Sequence, residues 1–145
     1  LADFEKALEL DPYYAKALFE NAALELENGN WARAASGFES YLELVPGDFD
    51  ARLNLVNALL RADRPGDARA QARTAVQMKE SPALLLALAE AERDCGNLDA
   101  MEAALKKAAH KNGGHKNGDK KDPALAARIL SIRSQGNRGR LSLKP

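Results

Sequence analysis

Between Tyr14 and Asn28 the apolar residues fall at Ala15, Leu18, Phe19, Ala22 and Leu26, with charged and amide residues between them. That spacing gathers one apolar stripe on one side of a helical period and predicts an amphipathic helix. Gly29 ends it, because glycine adopts the left-handed conformation at little steric cost. A second helix is predicted from Trp31 to Leu44, stopped before Pro46, which cannot continue the hydrogen-bond ladder. Residues 49–78 repeat this plan around the turn Arg64-Pro65-Gly66, and residues 82–110 repeat it around Gly96-Asn97. Residues 1–10, LADFEKALEL, supply only a second helix, so its partner is expected upstream of Leu1 and the chain reads as a fragment or processed piece.

The pattern then changes. The stretch His110–Asp122, HKNGGHKNGDKKD, has four Lys, three Gly and two Asn but no large apolar residue, and predicts a flexible basic linker over 111–122. Asp122-Pro123 offers an N-cap and a proline at the first helical position. Leu125, Ile129, Leu130 and Ile132 follow, predicting a last helix over 123–134 and a mobile basic tail over 135–145. The helix is expected to cap the apolar face that the last pair leaves open; docking on another chain is the alternative.

Four registers recur in phase. Phe4, Phe38, Ala72 and Leu105 are 34, 34 and 33 residues apart, as are Ala7, Tyr41, Ala75 and Ala108. Ala34, Ala68 and Met101 form a third register and Gly29, Asp63 and Gly96 a fourth. One helix pair cannot bury its apolar face alone, so such units must stack. The pattern resembles the tetratricopeptide repeat. Ala22, Val56 and Ala89 match its small residue on the first helix, and Ala34 and Ala68 the small residue at the helix crossing, where Met101 departs. Phe4 and Phe38 match the large residue of the second helix, and ALELDP at Ala7–Pro12 is close to the family's repeat ending. The resemblance implies an all-α fold: an α-solenoid of helix-turn-helix repeats in a right-handed superhelix, closed here by a C-terminal capping helix. The repeat domain would span 1–110, with a half repeat at 1–14 and repeats at 15–48, 49–81 and 82–110.

Composition narrows the class. Hydrophobic residues make up 46% and charged residues 29%, which excludes wholesale disorder. The longest apolar run, Ala83–Ala89, is seven residues, against about 18 needed to span a bilayer. Cys95 is the single cysteine and cannot form an internal disulfide. The compartment stays open, with a soluble, cytoplasmic chain the expectation. Net charge is zero, yet residues 1–105 hold 10 Lys+Arg and 19 Asp+Glu, while 106–145 hold 11 and 2. An acidic body thus precedes a basic tail, whose Lys116, Lys120, Lys121, Arg128, Arg133, Arg138 and Arg140 could tether nucleic acid or an anionic surface. With no aromatic residue to stack on bases, such binding would be non-specific; folding of the tail against the acidic body is the other reading.

Catalytic and metal sites are not expected. His110 and His115 sit in or beside the linker, where nothing orients a base, and no Cys or acidic set completes a metal cage. Neither a cofactor nor an enzyme activity is predicted. The resemblance implies instead a concave groove lined by the first helix of each repeat. Its positions are Lys16, Phe19, Glu20, Ala23, Leu26 and Glu27 in the first full repeat. They are Asp50, Leu53, Asn54, Asn57, Leu60 and Arg61 in the second, and Ala83, Leu86, Ala87, Glu90, Arg93 and Asp94 in the third. Phe19, Leu53 and Leu86 would anchor a peptide or helix, and Asn54 and Asn57 would hydrogen-bond its backbone. Family members that hold the acidic C-terminus of heat-shock chaperones use a Lys/Asn/Asn/Lys/Arg clamp. Those positions read Phe19, Ala23, Asn54, Ala83 and Ala87 here, so that task is not expected. A protein-interaction scaffold is the leading expectation. The alternatives are an accessory repeat domain of a larger enzyme or secretion and assembly machine, and the tail tether. Phe4, Ala7 and Leu8 would be left uncovered, so a homodimer through the N-terminal half repeat is also expected.

Overall fold

The computed structural model describes residues 12–113 and 122–142. The N-terminal half repeat with Phe4, Ala7 and Leu8, the dimer expected through it, and linker residues 114–121 with His115 lie outside the described residues. Within them every regular element is a helix. In order these are α1 (Pro12–Glu27), α2 (Trp31–Leu44), α3 (Phe49–Arg61), α4 (Pro65–Met78), α5 (Pro82–Asp94), α6 (Leu98–Gly113) and α7 (Pro123–Ser142).

The fourth sequence register becomes three equivalent turns. Gly29, Asp63 and Gly96 all take positive φ, at 80°, 59° and 79°. In each turn the next amide reaches five residues back: Asn30 N–H donates to Glu25 O at 2.9 Å, Arg64 to Leu59 at 2.9 Å and Asn97 to Glu92 at 2.8 Å. These bonds satisfy carbonyls that the ending helix would leave without partners. Asp63 shows that the register asks for the left-handed conformation rather than for glycine itself, since short polar residues tolerate it. Helix starts are fixed as locally. The Asp48 carboxylate accepts from Ala51 N–H at 3.1 Å, and Ser81 Oγ accepts from Leu84 N–H at 3.1 Å just before Pro82.

The chain divides into two compact units, Leu1–Ala75 and Val76–Pro145. In the first, α1 and α3 both pack on α2. Phe38, Ala34, Leu55, Val56, Leu59 and Ala68 are all but fully buried there. α1 and α2 approach closely at Gly37, where a Cβ would lie 2.7 Å from Ala22 Cβ. Phe19 on α1 meets Phe38 edge-on, with ring centroids 5.6 Å apart, and Tyr41 at 5.2 Å.

Tyr41 also links α2 to the start of α3. Its hydroxyl donates to Asp48 Oδ2 at 2.6 Å, while the other carboxylate oxygen caps α3. Burial, then this bond and the Asp48 charge, push the Tyr41 phenol up to about 12. A pKa raised on folding gives stability that is complete below the unfolded value of 10.0 and lost as pH rises through about 12. Tyr41→Phe should therefore abolish the latest tyrosinate step in a difference-absorbance titration. It should also cost about 1.5–3 kcal/mol near neutral pH, the range for a hydrogen bond to a charged group. A titration unchanged by the substitution would remove this link from the fold.

In the second unit α7 packs on both α5 and α6. Leu125, Ile129 and Ile132 are buried against Leu85, Leu86, Ala89, Met101, Leu105 and Ala108. Two predicted boundaries move. α6 runs to Gly113, taking in 111–113 of the expected linker; its last turn carries His110 and Lys111, which suit the negative end of a helix. Lys107 and Lys111 also each lie 3.6 Å from Glu80. The last helix, predicted over 123–134, continues to Ser142, so residues 135–142 of the expected tail are helical. Gly136 does not end it because that glycine is buried against α6, where a Cβ would lie 2.9 Å from Met101 Sδ. Docking outweighs the roughly 1 kcal/mol by which a mid-helix glycine disfavours a helix.

Candidate partner-binding surface

In the first unit the expected groove residues lie on α1 and α3. Lys16 and Glu20 form an i,i+4 ion pair at 3.7 Å, both about two-thirds exposed, and such pairs contribute little. Phe19 is half-buried, and its edge contacts with Phe38 and Tyr41 commit the ring to α1–α2 packing. Ala23 and Leu26 are half-buried and Glu27 is exposed. On α3, Leu53, Asn54 and Leu60 are half-buried while Asp50 and Asn57 are exposed. Among the described residues neither Asn54 nor Asn57 has a side-chain hydrogen-bond partner. Arg61 is exposed and lies over the Trp31 ring, 4.9 Å from its centroid, a cation–π contact.

An open cleft of about 460 Å³ between α1 and α2, which the sequence pattern does not reveal, is lined by Asn21, Glu25, Ala32, Arg33, Ser36, Gly37 and Ser40. Glu25 dominates it: Asn30 donates to its carboxylate at 2.6 Å and Arg33 lies 3.8 Å away. With its single carboxylate already so engaged, the cleft offers no acid–base pair. Among the described residues no three His, Cys, Asp or Glu side chains stand close enough to hold a metal ion. Cys95, half-buried, caps α5.

The third repeat differs in kind. Leu86 is buried beneath α7, Glu90 pairs with Arg128, and Arg93 Nη1 donates to Gln135 Oε1 at 2.5 Å. Arg93 also holds Asp94 at 2.9 Å. Ala87 is buried and Ala83 exposed. Leu86, Glu90 and Arg93, expected to line a groove, thus form part of the seat of the chain's own last helix. A bidentate pair completes the seat: Arg133 donates to both oxygens of Glu102, at 2.9 and 2.7 Å. The Arg133 hydrogen bond outweighs partial burial and holds the Glu102 carboxyl below its usual range. The extension of α7 and its hold on Leu86, Glu90 and Arg93 were legible only in part. The stripe 125/129/132 predicts a capping helix but not which side chains it covers.

This seating answers one charge question. Arg128 and Arg133, expected as candidates for anion attachment, are held by carboxylates of the acidic body. Lys116, Lys120 and Lys121 lie outside the described residues. Among the described residues no helix is long and apolar enough to cross a membrane.

Comparison with known proteins adds three findings. Residues 25–78 match the model of a family described as Tetratricopeptide repeat. The structure is similar to the crystal structure of the Yersinia enterocolitica type III secretion translocator chaperone SycD, in an alternative dimer, at a TM-score of 0.70. That similarity carries 17% identity over 87% of this chain and 93% of the other. No curated protein matches the sequence.

Proposed function

We propose that this chain, which carries the tetratricopeptide repeat over residues 25–78, is a protein-interaction scaffold without chemistry of its own. It takes an extended or helical segment of a partner on the inward positions of its first two full repeats. The observation that carries this reading comes from the third repeat. Leu86, Glu90 and Arg93 hold a helix there, and one repeat earlier the same register reads Leu53, Asn57 and Leu60. Leu53 and Leu60 are half-buried, and Asn57 beside them is an exposed amide with its hydrogen-bonding capacity free among the described residues. Apolar anchors beside unspent amides suit a segment that brings its own backbone polar groups. Lys16, Glu20, Ala23 and Asp50 form the rim, and Phe19 stiffens the wall rather than serving as a free anchor. The third-repeat residues Leu86, Glu90 and Arg93 are withdrawn from this groove by α7.

The task fits a chaperone-like or assembly role, holding a segment of another protein. The fold shared with SycD, described as a translocator chaperone, supports that direction. A substitution at the centre of the surface tests it. Leu53→Arg should weaken capture of the partner from nuclease-treated extract of the source cells by at least about tenfold, as expected at an interface hot spot, with helicity unchanged. Equal capture by both proteins would remove the α1/α3 surface from the function.

A further inference from the structure

Helix α7 meets its unit through one narrow stripe, Leu125, Ile129, Ile132 and Gly136, spaced i, i+4, i+7 and i+11. Two arginine–carboxylate pairs flank the stripe, Arg128 with Glu90 of α5 and Arg133 with Glu102 of α6. Between the stripe positions from Ala126 to Gln135 the side chains of α7 are exposed, Leu130 included, except the half-buried Arg133. On its own the segment is a poor helix former, with Gly136 and Gly139 in its interior beside Ser131 and Ser134. An isolated helix of that composition is marginal in water, so folding and docking of α7 are one coupled step. A segment held this way opens as a unit, at lower cost than the core beneath it.

The two helices under α7 also hold each other: α5 and α6 pack directly together, and Leu85, Leu105 and Ala108 belong to the core they share with α7. We propose that this α5–α6 face is a second binding site, for a basic amphipathic helix of a partner protein, and that α7 is its built-in competitor. The incoming helix carries large aliphatic residues at i, i+4 and i+7 with arginines at i+3 and i+8, the pattern α7 itself presents. Charge selects this occupant. Both arginines of α7 are held by carboxylates, the remaining grip, Arg93 on Gln135, falls on a neutral amide, and residues 1–105 carry 19 acidic against 10 basic residues. An acidic helix would leave Glu90 and Glu102 facing like charge. The site is independent of the α1/α3 surface, being built from other residues in the other compact unit.

The test uses the full chain and, as probe, a fluorescent peptide of residues 122–142. A binding face occupied by α7 for 90–99% of the time lowers apparent affinity roughly 10- to 100-fold. The double variant Arg128→Glu/Arg133→Glu loosens α7 and leaves the face intact. It should bind the probe one to one, at least about tenfold tighter than the wild-type chain does. Adding Glu90→Gln and Glu102→Gln, which removes the carboxylates without giving the glutamates of the loosened α7 a cation, should abolish most of that binding, and a probe with its own two arginines changed to glutamate should not bind the double variant. Circular dichroism confirms folding; should the double variant unfold, Leu125→Ala loosens α7 more gently and takes its place. Equal affinity for wild type and variant, or no binding to a folded variant, would overturn the proposal. So would formation of dimers that exclude the probe, which would give the face to a second copy of the chain.

Discussion

Replacing Phe38 with alanine should lower the stability of the first compact unit by about 3–5 kcal/mol, the range for emptying a large aromatic site in a core. Phe38 has no exposed surface, and Phe19, edge-on to it at 5.6 Å, would keep only its contact with Tyr41. Against a typical domain stability of about 5–15 kcal/mol, that loss would leave the unit marginal at room temperature. Trp31, the single tryptophan, begins the same helix and reports the transition by fluorescence in denaturant. A double-mutant cycle with Phe19→Ala isolates the ring pair, expected to couple by about 0.5–1.5 kcal/mol beyond area burial. Leu24→Ala is the control: the side chain is 54% exposed, and the change should stay within about 0.5 kcal/mol. A Phe38→Ala loss no larger than that of Leu24→Ala would mean that the repeat register at 4, 38, 72 and 105 does not mark the core.

That register shows why the fold could be read from residues. Burial in a repeat array is periodic, and the residues that set it, Phe38, Ala72 and Leu105, are buried at one equivalent place in each pair. The left-handed turns at Gly29, Asp63 and Gly96 are equally local, each decided within six residues. What the pattern could not supply came from contacts between distant segments. Gly136 looks like a helix stop when only its neighbours are counted, and becomes a packing residue once Met101 lies against it. Likewise Leu86, Glu90 and Arg93 have the composition of an open binding surface. Only the placement of Leu125, Arg128 and Gln135 some 40 residues later shows that this surface is filled. Phe19 is expected from the repeat pattern to line a groove, yet its ring packs in the α1–α2 contact, where Phe38 and Tyr41 offer two aromatic partners.

Gly37 and Gly66 should respond to alanine with opposite signs. Gly37 lies inside α2, where propensity alone favours alanine by roughly 1 kcal/mol, and Gly66 is the second residue of α4, where alanine also narrows the unfolded ensemble. At Gly66 nothing lies within 4 Å of the added methyl, so Gly66→Ala should stabilise the first unit by about 0.5–1 kcal/mol. At Gly37 the methyl would sit 2.7 Å from Ala22 Cβ and 3.3 Å from Ala22 Cα, and neither atom belongs to a flexible side chain that can move aside. The helices themselves must separate, and overpacking of this kind costs about 1–3 kcal/mol. Gly37→Ala should therefore destabilise despite its better propensity, with the deficit visible in the Trp31 transition. The strain has a specific remedy: Ala22→Gly in the same chain removes the opposing methyl and should recover most of what the crowding costs. If Gly37→Ala instead stabilises as Gly66→Ala does, α1 and α2 are not in contact at Ala22, and the close crossing that orders the first repeat is wrong. If the deficit appears and Ala22→Gly does not relieve it, the crowding lies elsewhere on α1.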